Sequence, residues 1–152
     1  MRRPDGHERR LRRADRGRPS RLPVMQLPAP AVVAATALIE VVRISGLPGR
    51  RGAPYPGAVV AHWAGDEVGD ILDLIASLPG STQHRCGFSP GWGVRAYDDV
   101  LDLPLYEAAF CFGCDEVRMQ GPAVPPALAT QFFDAGAEEA QALLERFRRA
   151  VL

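Results

Sequence analysis

Apolar positions along the chain follow two different spacings, which together predict both strands and helices. Residues 38–44 and 58–63 are rich in β-branched and aliphatic side chains, a composition typical of strands. Between residues 92 and 97, apolar side chains occupy every second position, which predicts a half-buried strand. The aromatic and apolar run 105–112 indicates a central strand, and residues 130–133 indicate an edge strand.

A helical spacing appears twice. Within residues 66–78 and from about residue 136 to the C-terminus, apolar side chains recur on one helical face. We therefore predict an α+β fold, in which an antiparallel sheet of about four to six strands carries two helices packed on one face. The apolar positions of the two faces are Val68, Ile71, Leu72, Ile75 and Leu78, and then Ala140, Leu143, Leu144, Phe147 and Val151.

One segment supports two interpretations. The alanines of residues 31–43 favour a helix, whereas the β-branched run within 38–44 favours a strand. Residues 46–57 are rich in Gly, Pro and Arg, which predicts a loop before the next strand.

Charge divides the chain into two parts. All 18 basic residues are arginines, and nine of them lie in residues 1–22 against three acids, a net charge of +6. The rest of the chain has nine arginines against fifteen acids, a net charge of −6. We predict a disordered arginine-rich leader at residues 1–24 and a single α+β domain at residues 25–152. The leader is a basic arm for nucleic acid or anionic lipid, an unused tail, or the product of a start assigned upstream of Met25.

The chain has no run of about 18 apolar residues, so we predict no membrane partner. Residues 31–39, behind the arginines, loosely resemble a secretory leader, but no A-x-A-like cleavage site follows them. The three cysteines are an odd number and lie close together, which argues against a disulfide framework. We expect a cytoplasmic protein with reduced thiols.

One histidine and the three cysteines form a candidate metal site. His84 and Cys86 are two residues apart and point to the same side of an extended chain, and Cys111 and Cys114 form a C-x-x-C pair. One histidine and three cysteines are a recognised tetrahedral zinc set, provided that the chain turns at Gly113. Zinc is therefore the candidate cofactor, and no cofactor at all is the alternative.

The same cysteines have two other interpretations. They are buried core residues, because cysteine is often buried for packing alone. Alternatively, Cys111 and Cys114 exchange thiol and disulfide, although Asp115 and Glu116 beside them would raise a thiol pKa.

A second candidate site combines aromatic residues and arginines. Arg85, Trp92, Arg95 and Tyr97 would form one recognition patch if they shared a surface, because aromatic residues and arginine are enriched at binding surfaces. In the alternative, Trp92 packs over the core and Arg95 is solvated. No Ser/His/Asp arrangement is visible, and no pair of acids is placed across a cleft.

The segment RCGFSPGWGVR at 85–95 and the segment CFGC at 111–114 resemble a group of small uncharacterised bacterial proteins. Those proteins combine an R-C-F-x-P-x-x-G-I-R-like segment with a later C-F-x-C segment on a strand, and Gly87 is an extra residue here. The resemblance covers residues 37–150 and implies no activity. It directs attention to Cys86, Arg95, Cys111 and Cys114.

The sequence thus predicts a small non-enzymatic binding or scaffold module with an unknown protein partner, and we do not expect it to bind nucleic acid except through the leader. A structural zinc-binding domain is the first alternative. A thiol–disulfide redox enzyme is the second.

Overall fold

A computed structural model describes residues 24–83, 86–100 and 102–151. The predicted leader lies outside these residues apart from Val24. The described chain contains three α-helices, α1 (Pro30–Ala35), α2 (Asp66–Ala76) and α3 (Glu138–Ala150), and a one-turn 3-10 helix at Pro126–Leu128. Its six strands are β1 (Leu38–Ile44), β2 (Gly57–Ala64), β3 (Trp92–Tyr97), β4 (Tyr106–Cys111), β5 (Glu116–Gln120) and β6 (Thr130–Phe132).

The six strands form one antiparallel sheet in the order β2-β1-β3-β4-β5-β6. Helices α2 and α3 contribute Ile71, Ile75, Leu143 and Phe147 to the same buried cluster as one face of the sheet. The predicted α+β architecture is therefore confirmed. Both interpretations of residues 31–43 are correct for part of the segment. The helix α1 ends at Ala35, and the strand β1 begins at Leu38.

The main core lies between the sheet and the two long helices, and aromatic rings fill its centre. Phe147 of α3 is fully buried and stacks on Trp92 of β3, with ring centroids 5.5 Å apart and planes inclined by 3°. The same ring also contacts Trp63, Phe110 and Phe112. One helical side chain thus joins three strands and the β4–β5 turn, which explains why α3 packs against the sheet.

The opposite face of the sheet has a much smaller apolar cluster. Val42, Ile44, Ala109 and Tyr55 are buried there, with Phe88 packed against them. Since no long helix contributes to this cluster, we call it the open face of the sheet. The β1–β2 loop, residues 45–56, reaches this face through Tyr55.

No helix in the described part of the chain is both long and apolar enough to cross a membrane.

Candidate functional site

A buried ion pair lies on the open face. Arg95 of β3 and Glu107 of β4 are direct partners in the strand register, and Nε of Arg95 donates a hydrogen bond to Oε2 of Glu107 over 2.7 Å. The Glu107 side chain is 6% exposed and the Arg95 side chain 17%. Two charges withdrawn from water this far cost free energy unless further hydrogen bonds satisfy them.

Those further bonds come from the β1–β2 loop. Arg95 donates through a terminal guanidinium nitrogen to the backbone oxygen of Tyr55 over 2.8 Å, and the Tyr55 N–H donates to Oε1 of Glu107 over 3.0 Å. Gln120 of β5 donates to Oε1 of Glu107 over 2.9 Å and to the backbone oxygen of Ala53 over 2.7 Å. The polar side chains of three strands therefore hold the loop against the sheet. We call Arg95, Glu107 and Gln120 the loop anchor.

A tyrosine and a second glutamate extend this network toward β1. The Tyr97 hydroxyl donates to Oε2 of Glu40 over 2.9 Å, and a guanidinium nitrogen of Arg95 lies 3.8 Å from the same oxygen. Burial and the hydrogen bond to Glu40 raise the pKa of Tyr97 to about 12. Tyr97 is therefore a neutral hydrogen-bond donor throughout the physiological pH range.

A cavity of about 460 Å³ opens above the loop anchor. We call it the anchor cavity. Three prolines, Leu103 and the Tyr97 side chain supply apolar wall, while the anchor residues and Asp102 supply polar atoms. A volume of this size and a mostly apolar wall with a few fixed polar groups are typical of a small-molecule site. The lining residues are Gly52, Pro54, Arg95, Tyr97, Asp102, Leu103, Pro104, Glu107, Gln120, Gly121 and Pro122.

The structure brings together only part of the predicted recognition patch. Arg95 and Tyr97 share the open face and line the cavity. Trp92 lies on the opposite face of the sheet, where its ring packs against Phe147. Successive side chains of a strand point to opposite faces, and Trp92 is an odd number of residues from Arg95 and Tyr97. Arg85 lies outside the described residues. For Arg95, neither the recognition patch nor the solvated position is what the structure shows. The side chain does not share a surface with Trp92, and it is only 17% exposed.

Sequence reasoning missed two members of the site, Glu107 and Gln120. A signal for Glu107 was present, since it is a single charge inside the apolar run 105–112. A charge within a central strand is seldom buried without a partner. Gln120 had no comparable signal, because its role depends on its register with Glu107.

The cysteines occupy two different environments. Cys111 ends β4, the chain turns over residues 112–115, and Cys111 and Cys114 form a disulfide. Both residues are buried, as the packing interpretation predicted, but they are not the reduced thiols that the sequence suggested. Cys86 is an exposed free thiol, so the packing interpretation is wrong for that residue.

The chain does turn at Gly113, as the zinc hypothesis required, but the turn joins the two sulfurs to each other. Among residues 24–83, 86–100 and 102–151, no group of three or more His, Cys, Asp or Glu could hold a metal ion. His84 lies outside these residues. The four-residue zinc set therefore stays a prediction.

The chain matches no protein-family model, no curated protein and no solved structure.

Proposed function

We propose that this protein is a non-enzymatic binding module that takes a small organic ligand into the anchor cavity. The observation that carries the proposal is the buried Arg95–Glu107 pair beneath an open, largely apolar cavity. A well-packed apolar pair would stabilise the sheet as well or better, because buried ion pairs seldom repay their desolvation. The pair instead fixes the loop that forms one wall of the cavity, and a fixed wall reduces the ordering cost of binding.

The shape of the site favours a small ligand over the protein partner suggested by the sequence. Specific protein interfaces bury roughly 800 Å² on each partner. The anchor cavity is concave, and Leu103 at its rim is 75% exposed. An apolar ligand body would cover that side chain while its polar end faced the anchor.

The charges of the wall indicate which polar end fits. Asp102 and Glu107 carry two negative charges against the single positive charge of Arg95. A cationic or neutral ligand is therefore favoured over an anionic one.

Three benzene derivatives of similar size, with a cationic, a neutral and an anionic polar group, test this proposal on the full chain: benzylamine, benzyl alcohol and benzoate. Chemical-shift titration of the labelled protein should show saturable shifts at Tyr97 and Leu103, strongest for benzylamine and weakest for benzoate. No saturable shift at these residues with any of the three compounds would rule the proposal out.

Leu103 and Val100 are both exposed apolar residues between β3 and β4, so their substitutions can be compared directly. Leu103→Ser removes apolar wall and should weaken benzylamine binding severalfold, whereas Val100→Ser, 80% exposed and outside the lining, should leave it unchanged. Equal effects of the two substitutions would show that the ligand does not occupy the anchor cavity.

Thiol–disulfide exchange is the second candidate function, because Cys111 and Cys114 form a disulfide, but the surroundings of that bond favour a structural role. Catalytic disulfides are accessible and one of their thiols has a lowered pKa. Cys111 and Cys114 are about 95% buried, and Glu116 is the register partner of Cys111. A rate of reduction by glutathione comparable to that of an exposed disulfide would support an exchange enzyme, and slow reduction would support a structural bond.

We also propose that the protein is bacterial and cytoplasmic. The first rests on the resemblance of segments 85–95 and 111–114 to the bacterial group, and the second on the sequence alone.

A further inference from the structure

A second cavity, of about 530 Å³, is lined by other residues of the β1–β2 loop. It shares only Gly52 and Gln120 with the lining of the anchor cavity. Its lining contains three arginines and no carboxylate, so we call it the arginine cavity. The lining residues are Leu47, Pro48, Arg50, Arg51, Gly52, Tyr55, Arg118, Met119, Gln120, Ala129 and Thr130.

Arg118 is held in place before any ligand arrives. Its Nε donates to Oε2 of Glu116 over 2.9 Å, and its guanidinium carbon lies 4.1 Å from the centre of the Phe88 ring. The bond to Glu116 uses one of the five N–H donors of a guanidinium. The side chain is 43% exposed, so a ligand can approach it from solvent.

Arg50 and Arg51 bring two more positive charges to the same space from an exposed turn. Within the part of the chain that the structure describes, no salt bridge pairs either of them with a carboxylate. The turn is fixed at its base, because Ala53 N–H donates to the Arg50 backbone oxygen and Gln120 donates to the Ala53 backbone oxygen. Gly52, at φ +82°, has the left-handed conformation that the turn requires.

The carboxylate of Glu116 neutralises part of the charge of Arg118, whereas Arg50 and Arg51 add two positive charges to the lining that an anionic ligand would neutralise. Guanidinium groups form paired, charge-assisted hydrogen bonds with phosphate and carboxylate oxygens. A phosphate group has more oxygens than a carboxylate and can therefore accept hydrogen bonds from more arginines. The cavity is also larger than a bare phosphate needs and lies within the range of organic ligand sites.

We propose that the arginine cavity binds a phosphorylated small molecule, with Arg50, Arg51 and Arg118 holding the phosphate oxygens. The organic part of the ligand would pack against Leu47, Pro48 and Tyr55. This site does not depend on ligand binding in the anchor cavity, because its charged groups are different residues.

Pyrophosphate is the first probe, added to the full labelled chain at a fixed ionic strength. It should shift the amide signals of Gly52, Tyr55 and Thr130 in a saturable way. Benzylamine should shift Tyr97 and Leu103 instead, so failure of one site is distinguishable from failure of the other. Absence of saturable shifts around the arginine cavity would overturn the proposal.

The arginine-rich leader attracts anions as well, so the variants must carry matched charge. Arg50→Gln/Arg51→Gln should weaken pyrophosphate binding at least tenfold. Arg148→Gln/Arg149→Gln changes the net charge equally on exposed positions of α3 and should change the affinity less than twofold. Similar losses in the two double variants would show general charge attraction only and would overturn the site.

The source of the phosphate group is tested with glycerol 3-phosphate and with vesicles that contain phosphatidate. Binding of the soluble compound, lost in Arg50→Gln/Arg51→Gln, supports the proposal. Binding to vesicles alone would overturn it in favour of a lipid surface.

Discussion

Arg95 and Glu107 are direct partners across β3 and β4, and their charged groups are joined by a 2.7 Å hydrogen bond on the face of the sheet without long helices. Each of them also bonds the backbone of Tyr55 in the β1–β2 loop. A single cross-strand pair therefore connects the sheet to the loop that contributes residues to both cavities. Its energetic importance can be measured by removing one charge at a time.

Arg95→Met should lower the free energy of unfolding by about 3–5 kcal/mol, because it leaves Glu107 buried without its cationic partner. Urea unfolding followed by circular dichroism measures this loss. Arg95→Met/Glu107→Gln should be more stable than Arg95→Met, since a neutral amide keeps an oxygen for Tyr55 N–H and Gln120 without an unpaired charge. A loss below about 1 kcal/mol in Arg95→Met would mean that the pair behaves as an exposed one.

Tyr97 provides a test that depends on pH. Its pKa is raised to about 12 from a usual 10.0, first by burial and then by the hydrogen bond to Glu40. A pKa raised in the folded state gives stability that is complete below pH 10 and is lost as the pH rises toward 12. The stability difference between the wild-type chain and Tyr97→Phe should therefore shrink across that interval.

Absorbance of tyrosinate measures the same group directly. Glu40→Gln should lower the pKa of Tyr97, because it removes a negative charge beside the hydroxyl while burial stays the same. Titration of the wild-type and Glu40→Gln chains, each compared with its Tyr97→Phe counterpart, isolates the Tyr97 signal from those of Tyr55 and Tyr106. An unchanged midpoint in Glu40→Gln would contradict the observed contact between Tyr97 and Glu40.

The strands and helices were predictable because their signals are local. Alternation between residues 92 and 97 and the β-branched run at 38–44 match the observed bounds of β3 and β1. The order of strands was not predictable, because the pairing of β1 with β3 joins residues 49 to 59 positions apart and depends on the whole core. The helix within 66–78 was also correct, although α2 ends at Ala76, before Leu78.

The candidate site was predictable only in part, and for the same reason. Strand alternation places Arg95 and Tyr97 on one face, but the identity of their partners depends on register. The Gly, Pro and Arg content of residues 46–57 indicates a loop and contains no information about the hydrogen bonds that fix it to Glu107 and Gln120.

Phe147 should contribute more to stability than any exposed residue of α3, because it is fully buried and contacts four other rings. Phe147→Ala should lower the free energy of unfolding by about 3–5 kcal/mol through lost burial and a residual cavity. Arg148→Ala, at the next and exposed position, should change it by less than about 0.5 kcal/mol. Equal losses in the two variants would show that α3 does not pack through Phe147.

The number of cysteines that can be alkylated distinguishes the zinc hypothesis from the disulfide. The structure has one exposed free thiol, Cys86, and a buried disulfide between Cys111 and Cys114. Alkylation of the folded protein without reductant, followed by mass spectrometry, should therefore label one of the three cysteines, and Cys86→Ser should abolish the label. Addition of a chelator should not change the count, because a disulfide is not held by metal. A count that rises from zero to three after chelation would instead show that all three cysteines are metal ligands, and it would replace the disulfide by the predicted site with His84.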